Sequence, residues 1–249
     1  MKLRVRLAIC ASLLLVFAGV AVSAQDDPAT ILRDAALLGR FSSLELHFTL
    51  EITERRGTKE RDLIAYVRQD ADGNRALVQV VSPAFLSNLK FLSITSGDQR
   101  DQWMSTSRGV RRVAAGNLDE RLFDSDFTVE DLSHYDPEDY DLSILGTETI
   151  SGVECHVLQA VPTDSGSFGD RKVLWVSTGN GLLYAADFYA DGEVERHFEL
   201  LDTMLVDGTP FPQSARMTTI GANTSTVLTV TDADAGTDIP DRLFNRGNL

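Results

Sequence analysis

Four histidines, His47, His134, His156 and His197, are the first residues of this 249-residue chain that chemistry would ask about. They are scattered over separate stretches. His47 alternates with apolar neighbours, and His197 sits among charged residues, so both read as solvated imidazoles. The sequence holds no His-Glu-x-x-His pair, no Cys-x-x-Cys pair and no Walker loop, and no Gly-x-Ser-x-Gly elbow. Gly166-Ser167-Phe168-Gly169 lacks the strand-to-helix frame of a phosphate cradle and reads as a loop. Asp124, Asp126, Glu130 and Asp131 are near enough in sequence for a paired-carboxylate site. Asp136, Glu138, Asp139 and Asp141 read as a solvated face. Residues 232–238 alternate carboxylates as a calcium loop would, yet lack the bidentate Glu and entering helix of an EF-hand, and read as a solvated turn. These residues predict no catalytic group, no metal and no cofactor.

Arg108, Arg111 and Arg112 stand out in an acidic chain with 23 basic and 37 acidic residues. Their commoner role is ion pairing with Asp119, Glu120 or the 124–126 region. The alternative is contact with an anionic ligand head, which a guanidinium grips with a forked pair of donors. The overall formal charge of −14 repels nucleic acid and anionic lipid surfaces, so no nucleic acid is expected as a partner.

The N-terminus reads as an export signal. Lys2, Arg4 and Arg6 precede an apolar run over 7–20, and Val22-Ser23-Ala24 fits the small-x-small cleavage pattern. Cleavage after Ala24 makes residues 1–24 the signal peptide and 25–249 a single mature domain of formal charge −17, because the leader takes three basic residues and no acidic one. Cys10 lies well before the cut, so no lipid-attachment cysteine is read. Cys155 is then alone in the mature chain and suits a small buried apolar position.

The elements that must position any site are mostly strands. A helical segment over 31–38 opens near Asp27 and stops at Gly39. Leu44, Leu46, Phe48, Leu50 and Ile52 then share one face of a strand, with Glu45, His47, Thr49 and Glu51 on the other. Strands follow over 62–68, 75–81, 89–95, 102–105 and 109–114, with turn signals at Asp72-Gly73 and Gly97-Asp98. A polar loop (117–127) and a helical turn (128–132) precede strands over 140–149, 153–161, 172–177, 182–190, 194–206, 214–220 and 224–231, and 239–244 ends the chain as a short helix. Connections this short join antiparallel neighbours. Several strands are apolar on both faces: Val173 and Trp175 against Leu174 and Val176, and Leu182, Tyr184 and Phe188 against Leu183, Ala185 and Tyr189. Either helices cover a solidly packed sheet, or the sheet encloses an apolar cavity.

One ordered series of motifs carries a resemblance. Pro83 to Leu92, Gln102-Trp103, Val110-Arg111-Arg112-Val113, Ser125-Asp126-Phe127-Thr128 with Glu130-Asp131-Leu132, Gly152 to Leu158, Phe188-Tyr189 before Asp191-Gly192, and Ile239 to Phe244 follow in that order. The series resembles the outer-membrane lipoprotein-sorting proteins, whose fold is like that of the periplasmic lipoprotein carrier LolA. Met104, Ser105 and Thr106 replace the Tyr and Pro that commonly follow the Trp in that family. The resemblance implies a mainly β fold: an incomplete antiparallel β-barrel closed by short helices around an apolar cavity. It implies a periplasmic carrier of lipoprotein or lipid acyl chains, with an inner-membrane transporter as donor and an outer-membrane acceptor. A non-catalytic lipid- or peptide-sensing module on the same fold is the alternative. Phe48, Phe91, Trp103, Trp175 and Phe188 are the expected cavity wall, and Ser125, Asp126 and Phe127 an expected structural latch at the barrel mouth.

Overall fold

A computed structural model describes residues 27–249 apart from 72, 98, 115–116, 133–135 and 164–168. The leader with Cys10, Asp72, Asp98, His134 and residues 166–168 of the Gly-Ser-Phe-Gly run lie outside the described residues. Six strands form a first meander: β1 (Ser43–Glu54), β2 (Gly57–Asp70), β3 (Gly73–Ser82), β4 (Lys90–Ser96), β5 (Gln99–Thr106) and β6 (Gly109–Arg112). Seven form a second: β7 (Tyr140–Ile150), β8 (Val153–Pro162), β9 (Arg171–Ser177), β10 (Leu183–Ala190), β11 (Glu193–Val206), β12 (Thr209–Thr219) and β13 (Thr224–Ala235). β1 pairs with β13, which fuses the meanders into one 13-stranded antiparallel sheet with β6 and β7 at its edges. The sheet does not close, so this is the incomplete barrel that the sequence leads one to expect. β6 is only four residues long and carries Arg111 and Arg112, and β7 has a register shift between Ile144 and Gly146. Short length, charge and bulges are the usual protections of an open edge.

Alternation decides which side chains face inward. Leu44, Leu46, Phe48, Leu50 and Ile52 of β1 are all buried in one cluster with Leu63, Ala65 and Val67 of β2, Phe91 of β4, Met104 of β5 and Val230 of β13. A second inner cluster joins Leu158, Leu174, Val176, Ala186, Phe188 and Met217 to Ile31 and Leu32 of α1 (Pro28–Ala35), the one α-helix among the described residues. α1 starts where Asp27 caps it, accepting from Ala29 N and Thr30 N at 3.4 and 3.2 Å. It starts and ends three residues earlier than the segment 31–38 read from the sequence, and a 3-10 turn over Leu37–Arg40 takes in Gly39. Arg40 then donates to the Asn180 carbonyl at 3.0 Å, fixing the helix against the β9–β10 connection.

The C-terminal tail packs on the opposite, outer face. Ile239 and Phe244 cover Leu77 and Leu92 there. Arg68 holds the tail by donating to the Ile239 carbonyl at 3.0 Å, pairing with Asp241 and lying 5.5 Å over the Phe244 ring. That pairing holds the Asp241 carboxyl below the ordinary carboxylate range. Gly73 turns β2 into β3 at φ +129°, and a Cβ there would sit 1.9 Å from the Thr95 carbonyl oxygen.

Two segments depart from their sequence reading. Asp232 and Asp234 are not in a turn: they lie within β13, whose Ala233 and Ala235 stand opposite Leu46 and Leu44 and pack on the inner cluster. Small apolar residues every second position extend the strand beyond Thr231. β12 begins five residues earlier than expected, at Thr209. Pro210 and Pro212 are tolerated because the β11–β12 ladder is already irregular between Leu200 and Thr203.

The two ends of the burial scale predict opposite outcomes. Phe91, fully buried, should cost about 3–5 kcal/mol when changed to Ala. Phe85, 80 % exposed, should change stability by less than about 0.5 kcal/mol in the same substitution. Urea unfolding of Phe91→Ala and Phe85→Ala checks both.

Candidate functional site

The chain leaves the sheet at one edge, β6, and re-enters at the other, β7. Between them, residues 113–139 must cross the inner face. Val113, Leu122, Phe123 and Val129 from this crossing segment are buried in the larger inner cluster. Phe127 is half-buried and packs against both inner clusters, joining them. The crossing segment therefore occupies the middle of the barrel.

Its backbone is a tight loop. Leu122 N donates to the Phe127 carbonyl at 2.8 Å and Ser125 N to the Leu122 carbonyl at 2.9 Å. Phe123 and Asp124 both take positive φ, 54° and 59°, as in a type I′ turn. Such a φ is strained for Phe, and the surrounding bonds hold it. Ser125 Oγ donates to the Leu122 carbonyl at 2.7 Å, and Phe127 N donates to Ser125 Oγ at 3.2 Å.

Four acidic side chains of the segment, Asp124, Asp126, Glu130 and Asp131, each meet a different cation. Lys172 of β9, 1 % exposed, donates to Glu130 Oε1 at 2.6 Å and to the Tyr140 hydroxyl at 2.9 Å. Burial pushes the Lys172 ammonium below the ordinary lysine range, while Glu130 pulls it back up. Arg196 of β11 lies 2.6 Å from Asp131, which also accepts from Thr128 N and Thr128 Oγ1 at 2.7 and 3.0 Å. The Arg196 guanidinium stacks 4.4 Å over the Phe188 ring. Arg61 of β2 is 3.7 Å from Asp124. Asp126 is fully buried: it accepts from Thr219, Thr224 and Thr226 hydroxyls at 2.6, 2.5 and 2.8 Å and from Arg121 at 2.8 Å. Asp126 N in turn donates to Thr226 Oγ1 at 2.9 Å.

The four carboxylates that sequence proximity grouped are thus dispersed to four cations and do not form a close acidic pair. Among the described residues, no group of three or more His, Cys, Asp or Glu side chains is arranged to hold a metal ion. Of the expected wall residues, Phe48, Phe91 and Phe188 face inward. Trp103 does not: it packs with Leu77, Leu92, Ile239 and Phe244 on the outer face. Trp175 lies between inward-facing Leu174 and Val176, so it too points outward, where its indole donates to Glu148 at 2.8 Å. Two-faced apolar strands concealed this split, since their parity is ambiguous in sequence. Arg111 pairs with Glu120, a partner the ion-pair reading names, whereas Arg112 pairs with Asp101, which that reading did not name. Arg108 lies at an exposed hairpin tip. A surface recess of about 390 Å³ is lined by residues 106–111 of that hairpin. Sequence reasoning missed Lys172, Arg196 and the three threonines. Their signal was positional: a charge placed in phase with buried apolar residues of an apolar strand.

The family model that matches residues 72–249 carries the description "uncharacterized protein", and the chain belongs to that family. No curated protein matches the sequence. Three solved structures are similar across nearly their whole length. A DUF1329 family protein from Desulfovibrio piger shares 20 % identity at a TM-score of 0.80, covering 90 % of this chain and 99 % of that one. A putative outer membrane lipoprotein-sorting protein domain from Vibrio parahaemolyticus shares 20 % at 0.79, covering 89 % and 99 %. A LolA superfamily protein from Nitrosomonas europaea shares 19 % at 0.71, covering 89 % and 99 %. At this identity the likeness shows the fold, which is LolA-like.

The buried Lys172–Glu130 pair makes a sharp prediction. Lys172→Met strands a buried carboxylate and should destabilise by about 3–5 kcal/mol, whereas Lys172→Met with Glu130→Leu should recover most of that loss. Thermal unfolding of the single and double variants measures the difference.

Proposed function

We propose that this protein is a periplasmic carrier that shelters acyl chains of lipoproteins or lipids against the inner face of its open barrel and moves them toward the outer membrane. The observation that carries the reading is the crossing segment. An apolar wall built from both meanders is covered at its centre by one loop, which sets Leu118, Leu122, Phe123, Phe127, Val129 and Leu132 against the wall and is tied to the sheet by ion pairs and hydroxyl bonds. An acyl chain gains roughly 0.8 kcal/mol per buried methylene, so a chain of ordinary length competes with the loop's apolar side chains for the same wall. Polar ties suit a cover that must leave: breaking them in the presence of water returns both partners to good solvation, whereas well-packed apolar side chains of equal volume would often bind as tightly or more so.

In this reading Ser125, Asp126 and Phe127 act as the latch. Phe127 joins the two inner clusters, Asp126 fixes the loop to β12 and β13, and Ser125 keeps the turn tight. Phe48, Phe91 and Phe188 belong to the wall that the cargo meets. Arg111 and Arg112 are engaged with carboxylates and serve the edge strand. In this reading the crossing segment lies where the cargo would lie and lifts to admit it. An inner-membrane donor and an outer-membrane acceptor would supply and remove the cargo. The three similar structures support the reading through the shared fold, and two of them through names that refer to lipoprotein sorting or the LolA superfamily.

Asp131→Asn weakens the Arg196 tie and lowers the cost of lifting the segment. Titration with a fluorescent fatty acid should therefore show tighter binding in Asp131→Asn than in wild type, tenfold for each ~1.4 kcal/mol removed from closure. Failure of the wild-type protein to bind any acyl probe, together with lipid-free protein by mass spectrometry, would overturn the proposal.

A further inference from the structure

Phe85 is 80 % exposed in the middle of a 3-10 turn, Ala84–Leu86, that links β3 to β4. A large aromatic so fully in water at a loop tip buries nothing in the fold. On the flanking hairpins of the same meander lie Arg55 and Arg56, at the β1–β2 tip, and Arg108, at the β5–β6 tip. All three arginines are exposed, and none forms an ion pair among the described residues. Nearby carboxylates are already engaged: Glu54 by Lys59 at 2.8 Å and Glu120 by Arg111. Glu51 and Glu60, opposite each other in the β1–β2 ladder, are exposed carboxylates of the hairpin that carries Arg55 and Arg56 at its tip.

The register places these tips on one rim. Ser105 stands opposite Lys90, Gln79 opposite Lys90, Ser82 opposite Asp62, and Glu54 opposite Gly57. From β6 toward β1, each hairpin reaches further along the strand direction. Strands tilted against the axis of a curved sheet give such a staggered register, and their turns then fall along one mouth of the barrel. Neighbouring strands are about 4.8 Å apart, so the six strands carry this rim over roughly 24 Å.

We infer that this rim docks on an anionic membrane surface, with Phe85 entering the headgroup–acyl boundary and Arg55, Arg56 and Arg108 meeting lipid phosphates. Aromatic side chains settle at that boundary, and arginine meets phosphate through two donors at once. The chain's formal charge of −14 does not prevent this. At physiological salt, charges further than about 8 Å are largely screened, so the local patch governs contact. A protein partner would need complementary relief around Phe85, and the convex tip with unpaired cations suits a planar anionic surface better. The docking surface is separate from the interior and does not depend on what the barrel carries.

Flotation of the protein with vesicles tests the inference. Vesicles of phosphatidylcholine mixed with phosphatidylglycerol should carry the protein up the gradient, and pure phosphatidylcholine vesicles should not. Replacing Arg55, Arg56 and Arg108 together by Ser should lower partitioning on the order of 100-fold, at roughly fivefold per basic residue near an anionic surface. Phe85→Ser should lower it roughly tenfold. Unchanged thermal unfolding and unchanged fatty-acid binding in these variants separate loss of docking from loss of fold or of cargo binding. Absence of flotation with anionic vesicles, equal flotation with both vesicle types, or wild-type flotation of the variants would each overturn the inference.

Discussion

A cation facing into an apolar barrel must be met by a carboxylate, and this constraint organises the structure. Lys172 and Arg196 are directed inward from β9 and β11 by the same alternation that buries Leu174, Val176 and Phe198. Leaving either unpaired in that setting would cost several kcal/mol. Glu130 and Asp131 come from the segment that crosses between the meanders, so the sheet's own charges fix where that segment lies. The strained turn at Phe123 and Asp124, the three-threonine cradle for Asp126 and the short helical turn at Glu130 all follow from holding these carboxylates in place.

Topology explains why such a segment exists. Each meander pairs strands that follow one another in sequence, and among the described residues the only strand pairing between the meanders is β1 with β13 in the middle of the sheet. The first meander therefore ends at one edge and the second begins at the other. The chain must traverse the inner face to connect them, and an unpaired backbone passing through an interior has to find hydrogen-bond partners. Arg121 opposite Thr128, with bonds from Val129 N to Glu120 O and Glu130 N to Leu118 O, supplies them within the segment itself.

Much of this was legible in the sequence. Alternation in β1 named its inner face residue by residue, and turn signals placed nearly every hairpin. Ser125 and Asp126 read as polar residues that bond the backbone beside one aromatic; Ser125 does so, whereas the Asp126 carboxylate takes the hydroxyls of Thr219, Thr224 and Thr226 instead. Facing was not legible for Trp103 and Trp175. Each sits in a strand with apolar residues on both faces, and outward burial under the C-terminal tail, or beside Glu148, looks the same in sequence as inward burial. Nor were Lys172 and Arg196 legible as partners of Glu130 and Asp131, because pairs separated by 42 and 65 positions are created by the fold alone. Asp232 and Asp234 misled through composition, since carboxylates suggest a turn until the alanines between them are found facing the core.

Cargo and cover compete for one place in this account, and hydrogen exchange reports on that competition most directly. The amides of Leu122, Val129 and Glu130 are bonded within the crossing segment, and those at the β1–β13 join belong to the sheet. Saturation with a fatty acid should speed exchange at 118–132 while the β1–β13 amides stay protected. A crossing segment that exchanges no faster, or more slowly, with the acyl chain bound would contradict the claim that the segment stands in the cargo's place.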